Sequence, residues 1–208
     1  MRKLVKYSDY TREEVQKIFD PDSPYTPGTG TWGILGMVAI PFSNDFVFFV
    51  TYGSSQAGHL FQEGVTKDGL LIWQSQPSQK LSDYRVKRWI THDHDFADIY
   101  LFLRASKKKP FSYMGKLAYV WHDPSRECPV YFRWQILDWE LTEERANEIG
   151  LVFCDKNSSS LEMQQHSEKP IDESTSIAKP LQQKSESKRA LEDNGEALED
   201  MILNLLGH

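Results

Sequence analysis

The chain has 208 residues and a formal net charge of −6, from 24 basic and 30 acidic side chains. That is long enough to bury a core of ordinary size, yet all of its 11 Phe, 9 Tyr and 6 Trp lie at or before Phe153, so the core material ends there. No window approaches the roughly 20 consecutive apolar residues of a spanning helix, and Met1 to Tyr10 alternates charge and polarity where a signal peptide needs an apolar run, which reads as a soluble, cytoplasmic protein.

Thr11 to Phe19 is predicted as a short helix. Val15, Ile18 and Phe19 form its apolar side, Ser8 or Thr11 caps it, and Glu13 and Glu14 stand in the first turn where the helix dipole favours them. Residues 20 to 33 hold three prolines and three glycines and read as a loop of fixed turns. Strands are predicted at Ile34 to Ile40, Asp45 to Tyr52, Leu70 to Gln76, Ile99 to Arg104, Ser112 to Trp121 and Val130 to Leu137, each rich in β-branched and aromatic residues. Lys67-Asp68-Gly69 is a glycine-closed turn, and Lys107-Lys108-Lys109-Pro110 is the basic tip of a hairpin. Leu81 to Ile90 and Glu140 to Ile149 have helical spacing, the second ending at Gly150. The class is α+β, mainly β: a curved antiparallel sheet or open barrel with two or three short helices.

Residues 1–154 form this domain, with 18 basic against 19 acidic side chains, whereas the remainder has 6 against 11. Residues 155–189 are Ser, Gln, Glu and Lys with two prolines, a composition expected to be a disordered linker. Residues 190–208 are expected to form an acidic amphipathic helix, with Leu198, Met201, Ile202 and Leu205 on one stripe suited to docking a partner.

Cys128 and Cys154 are too few for a disulfide framework or a four-thiolate zinc site. Thr91-His92-Asp93-His94-Asp95 could hold a metal or act as an acid–base pair, although a solvated loop explains it as well. No Gly-x-Ser-x-Gly elbow and no phosphate-cradling glycine loop is present. Basic residues are instead concentrated between Lys80 and Lys116. Arg85, Lys87, Arg88, Arg104, Lys107, Lys108, Lys109 and Lys116 are the candidates for holding DNA phosphates. Flat and amide side chains near loops, Trp32, Tyr52, His59, Phe61, Trp73, Gln74, Ser75 and Gln76, are the candidates for a base pocket.

Several strings go further: Tyr10-Thr11-Arg12-Glu13-Glu14-Val15, Gly30-Thr31-Trp32-Gly33, Phe48-Phe49-Val50-Thr51-Tyr52-Gly53, Trp73-Gln74-Ser75-Gln76-Pro77, Ile99-Tyr100-Leu101-Phe102-Leu103-Arg104 and Tyr113-Met114-Gly115-Lys116-Leu117. Together they resemble a bacterial domain family without an assigned function, over residues 7 to 139. In that family the module sits at the C-terminus of restriction-type superfamily 2 helicases that carry a phospholipase-D-like nuclease, or beside HNH endonuclease domains. The resemblance implies a DNA-reading module of a restriction or defence system, similar in plan to PUA-like barrels that accept a flipped modified base. It supplies no catalytic residue. The reading is a non-catalytic DNA-recognition module without metal or cofactor, with nuclease or helicase activity supplied by a partner. The alternative is a regulatory subunit docking through the C-terminal helix, and a third is a small enzyme acting through His92, Asp93 and His94.

Overall fold

The computed structural model describes residues 3–52, 55–56, 59–60 and 63–154, of which 55–56 and 59–60 are described by their backbone alone. The expected linker and C-terminal helix lie outside the described residues. The chain order is β1 (Asp9–Tyr10), α1 (Arg12–Phe19), α2 (Gly30–Ile34), β2 (Met37–Ala39), β3 (Phe46–Thr51), β4 (Ser55–Gln56), β5 (His59–Leu60), β6 (Gly64–Val65), β7 (Leu70–Gln74), α3 (Tyr84–Ile90), β8 (Ile99–Arg104), β9 (Phe111–His122), β10 (Tyr131–Ile136) and α4 (Glu143–Ile149).

One open, mixed sheet runs β2-β3-β8-β9-β10-β7-β6, with β1 added on β9, and β4 and β5 pair as a separate ribbon. Among these strands every pairing is antiparallel except that of β3 with β8, which is parallel from Phe46↔Ile99 to Thr51↔Arg104, and a lone parallel bridge joins Val65 to Phe153. The 12-residue β9 joins the two halves, pairing β8 through residues 112–116 and β10 through 117–122. Within it Gly115 has a φ of 120°, open to glycine, and a Cβ there would meet Lys6 and the Leu137 carbonyl. A register shift at Leu101/Phe102 lies opposite this glycine.

Side-chain alternation along β3 and β8 creates two cores. Phe46, Phe48, Val50, Ile99, Leu101 and Leu103 point inward to Trp73, Trp89, Phe132 and Trp134 from β7, α3 and β10. Val47, Phe49 and Phe102 point outward to Tyr10, Val15 and Trp32 under α1 and α2. The inner core contains the indole N–H groups of Trp89 and Trp134, both without a hydrogen-bond acceptor among the described residues. Trp89 meets Phe48 and Phe132 at 77°, and Trp134 meets Phe48 at 82° and Tyr119 at 81°. Edge-to-face contact of this kind presents the positive ring edge to a π face and eases the loss of hydration.

Local chemistry places the helices. Thr11 Oγ1 accepts from Glu14 N while Glu14 Oε2 accepts from Thr11 N, a complete capping box for α1. Thr142 caps α4 and Gly150 closes it in the left-handed conformation. The expected strand from Ile34 starts later, because Gly30–Ile34 forms one helical turn with Trp32 buried beneath it.

Candidate nucleic-acid interface

Because β3 and β8 run parallel, their C-terminal ends lie side by side, and the tip of the β8–β9 hairpin extends from that end. Arg104 is held there: Nε donates to Thr51 Oγ1 at 2.9 Å, Nη1 donates to the Lys107 carbonyl at 3.3 Å, and the guanidinium lies 4.2 Å over the Phe111 ring. Arg12, from the first turn of α1, approaches the same ring at 5.4 Å and Phe49 at 4.1 Å. It donates to the carbonyls of Trp32 at 3.1 Å and Leu35 at 2.8 Å. Burial, followed by the charge of Arg104, lowers the Arg12 pKa to about 10, against an opposing effect of Tyr25, so the Arg12 guanidinium stays charged at neutral pH; burial also lowers the Arg104 pKa. Lys107 and Lys108 are exposed, and Lys109 Nζ lies 3.4 Å from the Ile149 carbonyl in the last turn of α4. Among the described residues none of these five cations forms an ion pair.

The other predicted phosphate-binding residues are elsewhere. Arg85, Lys87 and Arg88 are on α3, and Arg88 lies 4.6 Å over Phe46, the first residue of β3. They therefore occupy the opposite end of the parallel pair, about 17 Å away by strand length. Lys116 is on the outer sheet face, bonded to Asp98 at 2.7 Å. The cations that run together in sequence are divided among three places.

The predicted base-pocket residues are divided as well. Trp32 is buried in the outer core, with Nε1 donating to Asp20 Oδ2 at 2.8 Å. Trp73 is buried in the inner core against Phe48, Trp89 and Phe132, on the other side of the sheet. Gln74 and Ser75 are buried at the end of β7, and Ser75 Oγ accepts from Val130 N at 2.9 Å. Gln76 is half-buried, its N–H donating to Gln79 Oε1 at 3.0 Å. Tyr52 follows β3 directly and donates to the Val152 carbonyl at 3.3 Å; burial, then Cys154 and Glu63, raise its pKa. His59 belongs to β5, described by backbone alone, and Phe61 lies outside the described residues. Burial pushes Glu63 up to about 8, and its Oε2 has no hydrogen-bond partner among the described residues.

Sequence reasoning missed Arg12 and a cleft of about 390 Å³ beside the C-terminal end of α1, lined by Lys3, Leu4, Ile18, Phe19, Tyr100, Tyr113 and Lys116. Tyr100 and Tyr113 are on adjacent strands, and only the register shift in β8–β9 reveals that they share a face with Lys116. Arg12 carried no signal of its own, since a helix-start arginine is ordinary surface.

His92 sits against Trp134 with ring centroids 6.1 Å apart, and burial, then His94, lower its pKa. Asp93 and His94 are exposed, and among the described residues no three His, Cys, Asp or Glu side chains converge as metal ligands. No helix among those residues is long and apolar enough to cross a membrane.

A family model described as a domain of unknown function, DUF3427, matches residues 4–149. No curated protein matches the chain. Among solved structures the chain is similar to a crystal structure of the SUVH5 SRA domain in complex with methylated CHH DNA, at 10% identity and a TM-score of 0.41, over 66% of this chain and 92% of that one.

Proposed function

The chain belongs to the DUF3427 family, and we propose that this member is a non-catalytic DNA-recognition module whose phosphate-binding edge is Arg12, Arg104, Lys107, Lys108 and Lys109. The observation that supports the reading is the absence of any carboxylate partner for these five cations among the described residues. A half-buried guanidinium without a counter-ion is costly, and Arg12 and Arg104 also repel each other. A polyanion laid along the edge relieves both costs. Arg104 and Arg12 are held by carbonyls, Thr51 and the Phe111 ring, so little side-chain entropy is lost on engaging a phosphate.

On this reading the phosphates give register, and a site or modified base is read by Tyr52 and the segment that follows it in sequence, His59 and Phe61 included. The module serves restriction or defence, and cleavage or unwinding comes from a partner nuclease or helicase. The test is fluorescence anisotropy of the intact chain with short duplexes, unmodified or carrying methylated, hydroxymethylated or glucosylated bases, at two salt concentrations. The Lys107→Gln, Lys108→Gln double variant is expected to weaken binding about tenfold or more and to reduce the salt slope by about two. Unchanged binding removes the edge from the reading. No binding of the native chain to any duplex at low salt overturns the reading in favour of a subunit that docks through Leu198, Met201, Ile202 and Leu205.

A further inference from the structure

The cleft at the C-terminal end of α1 is built differently from the cationic edge. Its floor is aromatic: Tyr100 lies 4.7 Å from Phe19 and 6.5 Å from Tyr113 by ring centroids. Leu4 and Ile18 complete the apolar wall, and Lys3 and Lys116 stand at its margin. Lys116 Nζ lies 5.6 Å over the Tyr100 ring and 2.7 Å from Asp98, whose Oδ2 also accepts from the Tyr100 hydroxyl at 2.9 Å. Tyr113, which lines the cleft, has no recorded partner for its hydroxyl among the described residues, and burial keeps it protonated with a pKa of about 12, so it remains a hydrogen-bond donor.

This chemistry narrows the occupant. A purely aliphatic guest leaves the Tyr113 hydroxyl and the Lys3 ammonium unmatched. A cationic guest of the kind aromatic cages bind meets two ammonium groups against a single carboxylate already bonded twice. A flat ring bearing an anion satisfies all of it, with the ring on Tyr100, the anion at Lys3 and Lys116, and a ring acceptor at Tyr113. The volume lies within the range of small-molecule sites.

We propose that this cleft binds a nucleotide, its base stacked on Tyr100 and its phosphate held between Lys3 and Lys116. A free mononucleotide and the terminal nucleotide of a single-stranded overhang share that chemistry. The inference does not depend on the five-cation edge, because α1 separates the cleft from Arg12 by about 10 Å of helix.

The experiment is calorimetric titration of the full chain with the four deoxynucleoside 5′-monophosphates, with inorganic phosphate and unphosphorylated deoxynucleosides as controls. At least one nucleotide is expected to bind more tightly than about 1 mM, and both controls at least about tenfold more weakly. Tyr100→Leu, which keeps an apolar floor, is expected to weaken the nucleotide by about tenfold or more. Lys3→Gln, on an exposed side chain away from the core, is expected to weaken the nucleotide but leave the deoxynucleoside unchanged. A thermal melt checks that each variant is folded. Loss on Tyr100→Leu with mononucleotides alone identifies a free nucleotide as ligand, and the same loss with a duplex carrying a 5′ overhang but not with a blunt duplex identifies a strand end. Failure of every mononucleotide to bind, or binding indifferent to both variants, overturns the proposal. The Lys107→Gln, Lys108→Gln variant separates the two readings, since it is expected to lose duplex affinity and retain the mononucleotide titration.

Discussion

Glu63 shows what burial does to an ionisable side chain whose Oε2 has no hydrogen-bond partner among the described residues. Its pKa stands at about 8 instead of the usual 4.5, because removal from water penalises the carboxylate. Between those two values the folded chain keeps a proton that the unfolded chain has released. Stability therefore falls as pH rises from about 4.5 to about 8 and levels off above it, a decline on the order of 3–5 kcal/mol from this one group. Glu63→Gln, neutral and of the same shape, is expected to flatten that part of the profile and to be more stable than the native chain at pH 8. Urea denaturation at pH 5, 6.5 and 8 measures it, and an equal decline in both proteins assigns the pH dependence to another group. A second residue, Phe42, has φ of 60° while its ring is wholly exposed. No burial offsets the roughly 1 kcal/mol of that backbone conformation, and nothing in the fold explains why phenylalanine stands there.

At the scale of elements, the β6–β7 turn shows how tightly one position can be specified. Gly69 has φ of 80°, and a Cβ there would lie 2.4 Å from Trp139 Cγ, an indole fixed by its N–H donating to the Lys67 carbonyl at 2.9 Å. Gly69→Ala is expected to cost about 2–4 kcal/mol, from left-handed strain and displacement of the ring together. The midpoint of urea denaturation reads that cost, and a change below about 0.5 kcal/mol would show that Trp139 moves aside freely. This turn was legible in Lys67-Asp68-Gly69, as were α1, α3, α4, the long strands and the Lys107 to Pro110 tip, because each carries a local signal in periodicity, capping or turn residues. The parallel pairing of β3 with β8 was not legible. Five elements after β3 intervene before β8 starts, and the apolar alternation of each strand is equally compatible with either direction. The two-residue strands β1 and β6 have no period to detect. Of the candidate site, Arg104 and the three lysines could be read as a run, whereas the separation of Arg85, Lys87 and Arg88 follows from strand direction and could not.

For the whole molecule the deciding quantity is the distribution of charge. Residues 1–154 have 18 basic and 19 acidic side chains, so their near neutrality hides a cationic edge, while the following residues add 6 basic and 11 acidic ones. If the proposed edge binds DNA, an acidic segment in the same chain repels the polyanion that the edge attracts. A chain ending at Cys154 is therefore expected to bind duplex DNA severalfold more tightly than the full chain at about 50 mM salt. The difference should vanish near 0.5 M salt, where the screening length has shrunk to about 4 Å. Its thermal midpoint should match that of the full chain, because both cores close within residues 3–154. Anisotropy titrations of the two chains across that salt range test it. A gain that persists at high salt would mean that the tail blocks the edge by a specific contact and not by its charge, and weaker binding by the shortened chain would place part of the DNA-binding surface in the tail.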